Sequence, residues 1–193
     1  MRLVYGAGFN DRSRPYSVNN EKTKEYNLWT SMLMRCFSSS YQSRQPTYKG
    51  CTVSENFKSY SYFYDWCQNQ IGFGTPGWQL DKDILIKGNK IYSEDLCIFV
   101  PKDINTILEK SDAIRGVDPI GVSFCKDRNK FQVAIRKNGK RIALGRYVCR
   151  EYAFSIYKEA KEYHIKLMAE KYKSVIDKRA YNALILYSVK ITD

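Results

Sequence analysis

The chain has 193 residues, is 44% hydrophobic and carries 32 lysines and arginines against 20 acids, a formal net charge of +12 at pH 7. That length and apolar content suit one large or two small globular domains and exclude a chain disordered throughout. There is no apolar run of about 18 residues and no apolar leader after Met1-Arg2-Leu3-Val4-Tyr5-Gly6, so a soluble cytoplasmic protein with no membrane partner is expected.

Residues 1–23 are rich in Gly, Asn, Ser and Arg without a sustained period, and are expected as an irregular arm. From Lys24 to Phe37, Tyr26, Leu28, Trp29, Met32, Leu33 and Phe37 recur mostly at three- and four-residue steps, which predicts a helix with one apolar face. A polar link, Ser38 to Lys49, leads to a second, aromatic helix predicted over 56–71, closed by Gly72, Gly74, Pro76 and Gly77. Residues 79–110 then read as a strand through Leu80, Ile84 and Ile86, a turn at Gly88-Asn89-Lys90, a strand over Cys97 to Val100 and a helix from Pro101 to Lys110, a ββα unit. Ser111 to Pro119 has no period and is expected to hold the domain boundary.

Charge concentrates after that boundary. Between Ile120 and Arg150, nine cations (Lys126, Arg128, Lys130, Arg136, Lys137, Lys140, Arg141, Arg146, Arg150) face one acid, Asp127, so nine minus one, +8, of the total +12 lies there. Apolar residues take every second place in Gly121-Val122-Ser123-Phe124 and in Lys130 to Arg136, the period of a strand. Phe131, Val133 and Ile135 are expected on one face, and Lys130, Gln132, Ala134 and Arg136 on the other. Lys137-Asn138-Gly139-Lys140 predicts a hairpin turn, and Cys149, Ala153, Ile156, Ala160, Tyr163 and Leu167 predict a long helix with that seam against the sheet. A last segment around Ala183-Leu184-Ile185-Leu186 is expected as a short helix that caps a core or meets a partner. A basic sheet face attracts a polyanion by counterion release, which makes nucleic acid the leading partner.

Six cysteines occur without a C-x-x-C pair. They read as free thiols packed like small hydrophobes or, at Cys36, Cys51 and Cys97, as ligands of a structural metal. Sixteen tyrosines serve either base stacking or core filling. His164, the one histidine, is expected on the surface of the long helix.

Two resemblances arise from these residues. Gly121-Val122-Ser123-Phe124, Lys130 to Arg136, Arg141-Ile142-Ala143-Leu144-Gly145-Arg146-Tyr147 and Ala153 to Ala160 resemble the Apetala-type DNA-binding domain of plant ethylene-response factors and phage proteins. That resemblance implies a three-stranded sheet in the major groove with Ser123, Lys130, Gln132, Arg136, Arg141 and Ala143 facing it. Phe131 stands where the family usually has tryptophan, and Ala143 where plant members often carry an aromatic. Separately, Trp29 to Cys36, Pro46-Thr47-Tyr48-Lys49-Gly50-Cys51, Phe63 with Trp66, Leu80-Asp81-Lys82-Asp83, Gly88 to Ser93 and Cys97 to Pro101 resemble a phage family of HNH homing endonucleases. There an Asp-His pair binds a divalent ion and activates water. Here the pair matches Asp81-Lys82, with Asn105 completing a site for Mg²⁺, and Asp83 or Tyr92 stands in reach to replace the missing imidazole. Asp81 and Asp83, two apart on a strand, share a face in this reading, as metal ligands or as the solvated end of a hairpin.

The expected architecture is α+β: N-terminal helices plus a degenerate HNH-like ββα unit, then a three-stranded antiparallel sheet packed on one long helix. The domains fall at 1–23, 24–112, 119–173 and 174–193. The expected function is binding of double-stranded DNA through Ser123, Lys126, Arg128, Lys130, Gln132, Arg136, Lys140, Arg141 and Arg146, with metal-dependent nicking through Asp81, Lys82, Asp83 and Asn105 open. The alternatives are a catalytically degenerate DNA-binding regulator, an inhibitor of a host protein, or a protein seated on structured RNA.

Overall fold

A computed structural model describes residues 3–109, 117–137 and 139–193. They form two compact units, Met1–Pro101 with Val175–Ala180, and Lys102–Ser174 with Tyr181–Asp193. The expected boundary in Ser111 to Pro119 falls largely outside the described residues, and the first unit closes at Pro101 instead.

In the first unit the arm is ordered rather than irregular. Strands β1 (Ser17–Val18) and β2 (Glu21–Lys22) pair antiparallel, and Asn19 and Asn20 between them take φ of 49° and 64°, the left-handed pair a two-residue hairpin needs. Arg14 grips Asp65 with Nε and Nη2 at 2.6 and 2.8 Å, and the Tyr60 hydroxyl donates to the Pro15 carbonyl at 2.7 Å. Helix α1 (Lys24–Phe37) is capped by the Thr23 hydroxyl, which accepts from the Tyr26 amide, and buries Trp29, Met32, Leu33 and Cys36. Helix α2 (Ser39–Arg44) lies within the polar link. The aromatic helix predicted over 56–71 is split into α3 (Glu55–Lys58) and α4 (Tyr60–Gln68). The arm causes the break: the Phe9 amide donates to Lys58 O and the Tyr60 amide to Phe9 O, so two backbone groups leave the helical ladder.

Around these helices Trp29, Phe57, Tyr60, Phe63 and Phe99 form one core, with Phe57 and Phe63 edge to face at 5.1 Å. Strand β3 (Thr52–Val53) pairs parallel with β5 (Ile91–Tyr92), and β4 (Trp78–Asp81) antiparallel with β6 (Ile98–Pro101). Ile84 and Ile86 thus lie beyond their expected strand, which ends when Asp81 Oδ1 accepts the amides of Asp83 and Ile84, both at 2.8 Å. Helix α5 (Lys102–Leu108) follows β6 and belongs to the second unit.

The second unit is a sheet in the order β7 (Val122–Cys125), β8 (Lys130–Lys137), β9 (Lys140–Tyr147), all antiparallel, backed by helix α6 (Arg150–Tyr172). Gly139 in the β8–β9 turn takes φ 75°, as the Asn-Gly reading requires, while Asn138 is outside the described residues. Val122, Val133 and Ile135 from the sheet pack on Ala153, Phe154 and Tyr157 of α6. The expected seam holds at Ala153, Ile156 and Ala160, while Cys149 before them is exposed. Tyr163 and Leu167 are exposed at 60% and 47%, and the buried residues of the later turns are Ile165, Met168 and Ala169. The 23-residue helix is about 34 Å long, more than its sheet can cover, and α5 packs against it as well. Helix α7 (Lys178–Ile185) begins with residues of the first unit and ends in the second. Among the described residues no helix is long and apolar enough to cross a membrane.

Candidate nucleic-acid interface

Register decides which cations share a plane. Directly opposed residues of antiparallel strands project to the same face. On the face away from α6, Ser123 opposes Gln132, which opposes Arg146; Cys125 opposes Lys130; Ala134 opposes Ala143; and Arg136 opposes Arg141. Strict alternation along β9 would send Arg146 to the side opposite Arg141. The register shifts between Val133 and Ala134, where Val133 pairs with Gly145 but Ala134 with Ala143, so Leu144 is extra and Arg146 returns to the outer plane.

The result is a small-residue centre, Ala134 and Ala143, between an arginine row and a row of Ser123, Gln132 and Arg146. The rows through Gln132 and Arg136 are separated by about 13 Å along the strand, close to the roughly 12 Å width of a major groove. Lys130, Arg136, Arg141 and Arg146 are exposed, and among the described residues none pairs with an acid. Lys126 and Arg128 lie exposed in the turn Lys126–Arg128 at one end of this face. Lys140 departs from the expected set: it opposes Lys137, so its side chain falls on the face that carries Ile135 and Ile142. Arg150 is not on the face either, being tied to Asp118 at 3.6 Å and to the Val117 carbonyl.

Of the residues expected to hold a metal, Asp81, Lys82 and Asp83 belong to the first unit. Asp81 is partly buried at the end of β4, and burial, then the charge of Asp83, raise its carboxyl to about 6. Asp83 is beyond the strand, so the two carboxylates do not share a strand face; the Asp81 side chain folds back on the Asp83 amide instead. Lys82 is buried and donates to Asn89 O at 2.7 Å and to Asp83 Oδ2 at 3.1 Å. Asn105 lies on α5, in the second unit. Tyr92 is buried with its phenol pushed far up by burial, so it offers no base near neutrality. Among the described residues no three His, Cys, Asp or Glu side chains converge as metal ligands, and Asp81 with one oxygen spent on two amides does not by itself fit a divalent ion. Cys36, Cys51 and Cys97 are buried in the first unit's apolar core, where burial pushes the Cys36 thiol up to about 12. The most buried tyrosines, Tyr60, Tyr92 and Tyr157, fill cores.

His164, expected on the surface of the long helix, is half-buried instead. It lines a cleft with Lys161, one turn away on α6, which no signal in the sequence marks because that spacing matches any solvated helix face.

The fold defines an α+β chain whose second unit presents a cationic sheet face, without acid partners among the described residues, backed by a helix. Compared with models of known protein families, with curated proteins and with solved structures, the chain matches none.

Proposed function

We propose that this chain is a DNA-binding protein whose three-stranded sheet enters the major groove of a duplex. The observation that carries the reading is the bulged register, which gathers Lys130, Arg136, Arg141 and Arg146, none with an acid partner among the described residues, on one face around two alanines. Phosphates release counterions to such a face, and the alanines let the backbone of the sheet approach base edges. Arginine suits guanine and Gln132 suits adenine by paired hydrogen bonds. The resemblance to Apetala-type domains supports the same orientation, with α6 behind the sheet.

Binding alone, as a regulator acts, needs no metal, and the donors at Asp81 do not fit one. Fluorescence anisotropy with duplex DNA tests it. Arg136→Ala and Arg141→Ala should each lose about 1–3 kcal/mol of affinity and relax sequence preference. Unchanged binding by the double variant rejects the sheet face, and structured RNA outcompeting duplex redirects the reading to RNA.

A further inference from the structure

The second unit contains a cleft of about 940 Å³ that binding by the sheet face leaves unexplained. Its floor is apolar, built from Val122, Ile135, Tyr157 and Met168, and its size is that of small-molecule sites, about 300–1,000 Å³. Among the described residues its charged lining is Lys102 and Asp103 from α5, Glu109 just past that helix, Arg136 from β8, Arg141 from β9 and Lys161 from α6. Cations outnumber acids, and Asp103 is already engaged by the Tyr172 hydroxyl at 2.9 Å and by Lys171 at 3.5 Å.

Two groups in this cleft lack the partners that burial demands. Lys161 is half-buried, desolvation holds its ammonium below the ordinary value, and among the described residues it has no acid partner. Among the described residues His164 Nδ1 is buried without a hydrogen-bond partner. Desolvation, then the charges of Lys137 and Lys161, disfavour its protonated form. An unsatisfied buried donor or acceptor is costly, and an anion seated between these two side chains would satisfy both.

We infer that the cleft binds a phosphate group between Lys161 and His164, with Arg136 among its lining residues. The phosphate comes either from a free mononucleotide, whose base would lie on the apolar floor, or from the backbone of a bound nucleic acid. An anion there favours the imidazolium, so occupancy and protonation of His164 are linked.

His164 is the chain's one histidine, so its ring resonances in the NMR spectrum of the full chain report this site alone. Inorganic phosphate, adenosine monophosphate and a DNA duplex are titrated in parallel. Saturable shifts with phosphate or the mononucleotide, and a rise of about half a pH unit or more in the His164 midpoint, assign a free ligand. Shifts with duplex alone assign the backbone. Lys161→Met should abolish the response and Lys161→Arg preserve it; should Lys161→Met fail to fold, the titrations of the parent and of Lys161→Arg still decide. No response to any of the three probes, or one untouched by a folded Lys161→Met, overturns the site. Arg146→Ala, outside the cleft, separates this result from the sheet-face reading: it should weaken duplex binding while leaving the response to inorganic phosphate intact.

Discussion

At Gly121 the backbone takes φ 76°, and a Cβ placed there would lie 1.9 Å from Cδ2 of Tyr157. An alanine would meet backbone strain and a buried ring together, so Gly121→Ala should cost about 2–5 kcal/mol, read as a lower midpoint in urea unfolding. Gly139→Ala is the control: φ is 75° but the space is open, and only about 1 kcal/mol should be lost. Asp81 carries a different prediction. Its carboxyl is raised from 3.8 to about 6, so its contribution favours folding fully below pH 3.8 and is lost as pH rises through about 6. Asp81→Asn keeps an acceptor for the amides of Asp83 and Ile84 but removes the charge. The variant should therefore melt above the parent at pH above about 6, the difference vanishing below pH 3.8, in thermal unfolding followed across that range.

The elements of the second unit depend on a strap that sequence alone left open between core cap and partner contact. Val189 is buried beside Val122 and Val133, so the end of this segment packs on that core. Lys158 Nζ donates to Glu162, to Ser188 Oγ at 2.9 Å and to Val189 O at 2.9 Å, while the Val189 amide donates to Glu162 Oε1 at 2.8 Å. Burial opposes the Glu162 charge, yet these bonds to Lys158 and Val189 hold its carboxyl below the usual range. Val189→Ala should destabilise the unit by about 1–3 kcal/mol in urea unfolding, with duplex binding falling only where folding is lost. The same scale explains the misplaced seam of α6. Apolar residues occur on more than one of its faces, so periodicity could not choose which stripe meets the sheet; Tyr157 and Val133 chose it by packing.

For the whole molecule, the charge pattern predicts the thermodynamics of binding. If Lys126, Arg128, Lys130 and Arg146 each neutralise one phosphate while Arg136 and Arg141 meet base edges, log affinity should fall with log salt at a slope of about −4. A slope near zero would mean the duplex does not lie on this face. Supercoiled plasmid with Mg²⁺ or Mn²⁺ should remain uncut, since the donors at Asp81 do not make a metal site; nicking that disappears in Asp81→Ala would restore the nuclease reading. The sequence by itself determined the α+β class, helix α1, the three strands of the second unit and the concentration of charge upon them. Each of those rests on a local period or a local count, and local periods survive in a linear string. Only the tertiary structure decided that the arm is built into the first core, that Phe9 breaks the aromatic helix at Ser59, and that Arg146 joins Arg141 while Lys140 turns away. These outcomes depend on which distant backbone groups pair, and one extra residue in a strand reverses every side chain after it.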